Sequence, residues 1–381
     1  MTDRLTYQAS DTRAEVCWIA QTTHCQAMSV RSLRCCPLTL AATSSLPSSL
    51  PDTSRPLSPH TFAGMVEQGL KERFDEREIE RVLTSWRLLD QEYYRKEFVG
   101  NDPSIDSEDL VQECHSYLPG LSIQPFWNAK DFGWANYLES RYSEIRKEFD
   151  AVTANMAKLQ NEGNNIWAGA LTTDAASYGE GWKTLVLMDR GRWDPTNVNL
   201  FPITAQAVHD SGVPATEVFF ASMAGPSEIK KHSDFTNFVL TSHLALDIPD
   251  SGNNKCRLTV GGVTNQWING HCYVFDTSLL HDAVNESDQT RYILMLRLWH
   301  PDLTLVEQQA LQFTFDCLEF PGLVSPDPGE RFMAEQTVEA IRNFPILRNN
   351  NNPSEIRGFD TKSKQNNNKR KGSGKKKGFG R

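Results

Sequence analysis

The segment EIKKHSDFTN sets His232 and Asp234 two residues apart. In extended chain, side chains at i and i+2 stand on the same face, so this spacing suits two ligands of one ion. His281, just beyond the run CYVFD, offers a third. Two histidines and a carboxylate that leave the other positions of an ion open form the arrangement used by non-haem iron(II) oxygenases. Zinc accepts the same donors, so these residues alone leave hydrolytic chemistry open. Arg291, ten residues past His281 in TRYILMLRLW, breaks the tie. Its guanidinium is suited to holding a co-substrate carboxylate through two parallel hydrogen bonds, which a lysine cannot match. His24, His60, His115, His209, His271 and His300 lie in ordinary polar or strand-end contexts and read as structural.

The segments that carry these residues are short apolar runs separated by Gly, Pro, Asn and Asp: TLVLM, EVFFASM, FVLTSHLAL, CRLTV, CYVFD and RYILMLRLW. Such runs predict short strands between about Lys183 and Leu298, closing into an antiparallel barrel or jelly roll. Flanking stretches carry helical spacing instead. Phe62, Met65, Leu70, Phe74, Ile79, Val82, Leu83 and Trp86 predict helix over 61–98, and Leu138, Tyr142, Ile145, Phe149, Val152, Met156 and Leu159 predict it over 134–159. The same periodicity returns over 303–315 and 330–343. The expected fold class is an all-β core, a double-stranded β-helix (jelly roll, cupin-like), with flanking α-helices. No internal repeat is visible.

Charge divides the chain unevenly. The formal net charge is -9, yet everything past Asp360 is basic (Lys362, Lys364, Lys369, Arg370, Lys371, Lys375, Lys376, Lys377, Arg381), so the first 360 residues carry about -18. An acidic body is a poor general surface for nucleic acid, which is bound chiefly through Lys and Arg; contact of that kind is left to the basic tail. The tail has almost nothing apolar to bury and reads as disordered. Residues 1–60 are rich in Ser, Thr, Pro and Leu, with no acidic residue between Glu15 and Asp52. From Met28 onward they have the look of an organelle transit segment, and equally of a disordered extension. No run of about 18 apolar residues occurs, so no membrane span is expected. Eight scattered cysteines without C-x-x-C spacing argue against a zinc knuckle and a disulfide framework, and for a reducing, soluble intracellular setting.

Taken together, YLPGL, PFW (Pro125, Phe126, Trp127), HSDFTNFVLTSHLAL and WINGHCYVFDTSLLH, with Arg291 and Trp299-His300-Pro301, resemble the aspartyl/asparaginyl β-hydroxylase family over roughly Tyr117–Leu303. The specific part is W-x2-G-x4-F-D-x4-H (Trp267, Gly270, Phe275, Asp276, His281) followed by Arg291. The resemblance implies a double-stranded β-helix that uses Fe(II), with 2-oxoglutarate and O2 as co-substrates. By it His232 and His281 are metal ligands, Asp234 completes the triad as in the H-x-D members, Arg291 binds the distal carboxylate of 2-oxoglutarate, and His243 lies near the end that chelates the metal. Where the family usually carries Arg two positions before that histidine, this chain carries Thr241. A family serine that helps bind the distal carboxylate aligns with Ala221, and Ser222 is adjacent.

The implied activity is hydroxylation of a side chain such as Asp or Asn in a peptide or protein, with a small-molecule or lipid substrate left open because substrate choice sits on variable loops. Two other readings stand beside it: a catalytically weak jelly-roll protein that binds a ligand or partner, and a scaffold whose basic tail contacts RNA. The expected organisation is a disordered, targeting-like segment 1–60, a helical N-terminal extension 61–115, the hydroxylase-like jelly roll 116–303, a helical C-terminal extension 304–347 and a disordered basic tail 348–381.

Overall fold

In a computed structural model of the chain, residues 50–100, 109–169, 175–249, 251, 253 and 255–342 are described. The readings of residues 1–49 and of the basic tail 348–381 lie outside them.

The apolar spacing after Thr61 yields helix α1 (Phe62–Arg73), its first turn capped by the Thr61 hydroxyl, which accepts from Gly64 N at 3.1 Å. Helix α2 (Glu80–Asp90) follows. The helical reading of 61–98 ends there, because Arg95–Phe98 (β1) pairs antiparallel with Val111–Cys114 (β2). Only short polar strands, RKEF and VQEC, form this hairpin, and cross-strand pairing overrides their weak helical pattern. After β3 (Phe126–Trp127), the stripe over 134–159 forms α3 (Gly133–Ser140), α4 (Tyr142–Thr153) and α5 (Met156–Glu162).

The strands then build the core: β4 (Ala168–Gly169), β5 (Trp182–Asp189), β6 (Arg192–Trp193), β7 (Ala215–Met223), β8 (Ser227–His232), β9 (Val239–Asp247), β10 (Cys256–Val260), β11 (Val263–Gln266), β12 (Cys272–Phe275), β13 (His281–Asn285) and β14 (Arg291–Trp299). Helix α6 (Ala175–Tyr178) precedes β5, and α7 (Pro195–Leu200) and α8 (Pro202–Ser211) lie between β6 and β7. Two helices close the described chain, α9 (Leu305–Glu319) and α10 (Pro328–Arg342).

A large sheet runs β3-β12-β9-β14-β7-β5-β4 with β6 on β5, and a small one runs β11-β10-β13-β8. All pairings within them are antiparallel. Strand alternation assigns the two faces of the large sheet. Leu240, Leu244, Leu246, Leu294, Leu296 and Leu298 pack outward against Leu138, Ile145 and Phe149 of α3 and α4 and Phe201 and Val208 beside and on α8. Phe219, Ala221, Ala245 and Ile293 point the other way, onto Ile229, Leu258 and Ala283 of the small sheet. Because both faces of β9 and β14 are buried, these strands read as continuous apolar runs. A separate core joins α1, α2 and α9 through Val66, Leu70, Trp86 and Phe313 to Phe238 and Trp299 at one end of the large sheet. The result is a jelly roll of two facing antiparallel sheets with helices outside. Among the described residues, no helix is long and apolar enough to cross a membrane; Cys114, Cys256, Cys272 and Cys317 are buried and unbridged.

Candidate metal centre

His232 ends β8 and His281 begins β13, and the register of this pair sets the two residues directly opposite each other. Their rings lie 4.3 Å apart, centroid to centroid. Each ring is fixed in the same way: His232 Nδ1 lies 2.7 Å from Lys230 O, and His281 Nδ1 lies 2.9 Å from Leu279 O. A carbonyl oxygen only accepts, so Nδ1 carries the proton in both rings and Nε2 is left with its lone pair. His232 Nε2 is buried with no hydrogen-bond partner among the described residues.

Asp234 supplies the third group. It lies past the end of β8, in a turn where Phe235 adopts a left-handed backbone at φ 58°. Asp234 N donates to Thr277 O at 2.8 Å. The Ser233 hydroxyl lies 2.8 Å from Glu113 O of β2 and accepts from Phe235 N at 3.0 Å. These contacts aim the carboxylate back at the histidines: Asp234 Oδ1 lies 3.7 Å from His232 Nε2 and 4.0 Å from His281 Nε2. The three ligating atoms all fall within 4.8 Å of one another. Nitrogen and oxygen ligands bind a divalent ion at about 2.0–2.2 Å, so a set this close, with an unpartnered buried Nε2, fits one ion with little closure.

Each oxygen of Asp234 also meets a side-chain donor. Arg297 Nη1 donates to Oδ2 at 2.6 Å, and the Tyr178 hydroxyl donates to Oδ1 at 3.2 Å. Tyr178 also sets its ring edge-on to His232, 4.8 Å between centroids. Burial opposes ionisation of Asp234, but the Arg297 guanidinium, followed by His281 and His232, outweighs it and holds the carboxyl well below the usual carboxylate range. Burial, then the neighbouring His232, pushes His281 down to about 4. His281 is therefore neutral at pH 7, as a ligand must be. A folded-state value below the unfolded one means that the unfolded chain takes up the proton first as pH falls. The metal-free protein is thus expected to lose stability between about pH 6.5 and 4, read as a falling midpoint of thermal unfolding; a flat midpoint across that window would contradict a buried neutral His281.

Arg291 opens β14 and is only 1% exposed. Its guanidinium lies over the Trp267 ring at 4.2 Å, Nη2 touches Met223 Sδ at 3.2 Å, and Nε and Nη1 have no partner among the described residues. Burial pulls it down to about 10, still charged at neutral pH. A buried cation without a carboxylate costs several kcal/mol, so this arginine is held ready for an anion. His243 lies nearly parallel to the same tryptophan, and its Nδ1 is unpartnered. Burial, then Arg291, drives its pKa well down. Thr241, wholly buried, reaches Thr277 Oγ1 at 3.4 Å. His232, Asp234, His281, Thr241, His243 and Arg291 all line one pocket.

Ser222 does not join them. Strand alternation turns Ala221 into the barrel and Ser222 to the other face, where its hydroxyl donates to Lys183 O at 3.3 Å. The expectation that Ser222 contacts the co-substrate is corrected by that parity. Tyr178 and Arg297, in turn, were not anticipated as site residues. Arg297 left a signal, since a charge inside the apolar run YILMLRLW must be paired if that strand is buried.

These features define a class: a jelly-roll protein with a two-histidine, one-carboxylate cluster beside a buried, unspent arginine. The model of the family described as aspartyl/asparaginyl beta-hydroxylase matches residues 139–301. Aspartate beta-hydroxylase domain-containing protein 2 of Mus musculus is 41% identical over 227 residues, covering 57% of this chain and 62% of that protein. Its Homo sapiens counterpart is 34% identical over 228 residues, 57% of each. The ornithine lipid ester-linked acyl 2-hydroxylase of Rhizobium tropici is 27% identical over 183 residues, 48% of this chain and 62% of that protein. The chain thus spans little more than half the length of the curated relatives it matches.

Proposed function

We propose that this chain is an Fe(II)- and 2-oxoglutarate-dependent dioxygenase that hydroxylates a side chain such as Asp or Asn in a peptide or protein. One observation carries the reading: a single pocket has the His232–Asp234–His281 cluster on one wall and the unpaired guanidinium of Arg291 on another. A dicarboxylate co-substrate that chelates the metal at one end needs such a charge at the other.

His232, Asp234 and His281 would hold the iron, and when bound, iron and 2-oxoglutarate supply the O2-dependent oxidation that converts a C–H bond to C–OH with release of succinate and CO2. The protein's own groups do the rest. The backbone carbonyls of Lys230 and Leu279 lock both imidazoles in one tautomer and one orientation. Arg291 receives the distal carboxylate through its free Nε and Nη1, braced from behind by Trp267. His243 and Thr241 flank the chelating end. Trp182, Phe275 and Ile293 keep water from the pocket wall, which strengthens every charge interaction inside it. Lys230 and Lys231 are exposed on β8, and Lys231 is paired with Asp109, so neither assists the co-substrate.

Relatives of the chain include the aspartyl/asparaginyl beta-hydroxylase of Homo sapiens and the ornithine lipid ester-linked acyl 2-hydroxylase of Rhizobium tropici. A lipid is therefore the competing substrate class. The test is succinate release with the purified chain, iron, 2-oxoglutarate and O2, presented in parallel with Asp- and Asn-containing peptides and with lipid vesicles. Peptide-stimulated succinate with a mass gain of one oxygen on the peptide supports the proposal. Stimulation by vesicles alone reassigns the substrate to lipid, and failure of both, with iron bound, favours a jelly-roll binding protein.

A further inference from the structure

Among the described residues, Arg297 is the charged side chain that reaches the back of the candidate ligand Asp234. It is 8% exposed and sits next to last but one in β14, between two strands of the large sheet. Its register partners are Thr241 on β9 and Glu217 on β7. Opposed residues of an antiparallel pair share a face, so Arg297 shares the barrel-side face with Thr241 and lies beneath the turn that carries Asp234. From there Nη1 reaches Asp234 Oδ2 at 2.6 Å, while Nε is buried without a partner. The carboxylate is thus divided: Oδ2 is taken by the guanidinium, and Oδ1, which also accepts from the Tyr178 hydroxyl, is the one that faces both histidine Nε2 atoms.

We propose that Arg297 is a positioning residue for the metal centre, fixing Asp234 so that it offers a single oxygen, Oδ1, to the ion. The proposal rests on the reading of His232, Asp234 and His281 as metal ligands. Without Arg297, the turn at Asp234 keeps its backbone bonds to Thr277 and through Ser233, but the carboxylate is free to rotate and to present both oxygens or neither. Groups that orient a ligand in this way typically contribute roughly tenfold to a hundredfold to metal affinity. Charge alone predicts the opposite sign, because removing a cation from beside the site would tighten binding of a divalent ion. The direction of the change therefore separates orientation from simple electrostatics.

The experiment uses the full chain, stripped of metal and titrated anaerobically with Co(II), whose visible absorption reports coordination. Wild type, Arg297→Gln, Arg297→Lys and Asp234→Asn are compared, with thermal unfolding of each metal-free protein as the check on folding. Arg297→Gln is expected to bind Co(II) at least roughly tenfold more weakly, with an altered spectrum, and Arg297→Lys is expected to recover part of the affinity. The double variant Glu217→Gln/Arg297→Gln removes one charge of each sign from neighbouring strands. It carries the test if the single variant does not fold, and the same loss is expected of it. A folded Gln variant, single or double, that binds Co(II) as tightly as wild type overturns the proposal. If wild type itself takes up no Co(II), or Asp234→Asn binds as tightly as wild type, it is instead the ligand assignment that fails.

Discussion

Replacing His232 with Ala is expected to abolish iron-dependent succinate formation, lowering it by at least about a hundredfold, while leaving the metal-free fold intact. Both halves of that expectation come from the same geometry. The His232 ring makes one bond within the protein, from Nδ1 to Lys230 O, and its other nitrogen is buried with nothing to bond. Removing a ring whose inner atom is unsatisfied takes little from folding and all of one metal bond. Asp234 differs. Asp234→Ala strands the Arg297 guanidinium, and breaking one partner of a buried pair typically costs about 3–5 kcal/mol, so this variant should lose stability as well as activity. Asp234→Asn keeps the shape and an acceptor for Arg297, and is the fairer probe of the ligand. Succinate release and thermal unfolding, measured on all three, check the account; robust turnover by His232→Ala and Asp234→Asn together would contradict it.

The second large effect concerns Arg291. Arg291→Met should weaken 2-oxoglutarate binding by roughly thirtyfold to a thousandfold, about 2–4 kcal/mol, since the carboxylate would then enter an apolar pocket without a counter-charge. In the same variant the metal-free protein should become no less stable, and more stable if Met packs against Trp267, because an unpaired buried cation is removed. Arg291→Lys should not restore affinity, as a single ammonium cannot reproduce two parallel bonds. Binding measured by calorimetry and stability measured by urea unfolding separate these outcomes. Unchanged affinity with lowered stability would mean that Arg291 is a structural residue.

Much of the jelly roll was legible because its central strands are buried on both faces. TLVLM, EVFFASM, FVLTSHLAL and RYILMLRLW stand out as apolar runs for that reason. β8, SEIKKH, was not legible: Ile229 is its one fully buried side chain, and a strand open to solvent on one side carries little apolar signal. Helices α7 and α8 were also passed over. Their marks were present in Asp194, whose carboxylate caps Thr196 N and Asn197 N, in Pro195 and Pro202 at the helix starts, and in Gly212 at φ 69°. Strand-rich surroundings masked them, an instance of boundary signals being weaker than periodicity.

At the site, the sequence named the three residues that the fold gathers, but not why they meet. His232 faces His281 because β8 pairs with β13, a contact between strands far apart in the chain that no local pattern encodes. Asp234 reaches the pair through the left-handed turn at Phe235 rather than by lying on one extended strand with His232. Ser222 failed on parity, which the sequence could have supplied: once Ala221 is assigned inward, its neighbour must face away. Arg297 was visible as a charge in an apolar run, yet its partner lies across the barrel.

Anaerobic titration of the purified chain with Fe(II) and then 2-oxoglutarate, watched for the visible charge-transfer absorption of the chelate, tests metal and co-substrate in one cuvette. The expected result is a band that saturates at one iron and one 2-oxoglutarate per chain, is missing in His232→Ala and needs far more 2-oxoglutarate in Arg291→Met. A folded wild-type chain that develops no band at saturating iron and 2-oxoglutarate would contradict the central claim.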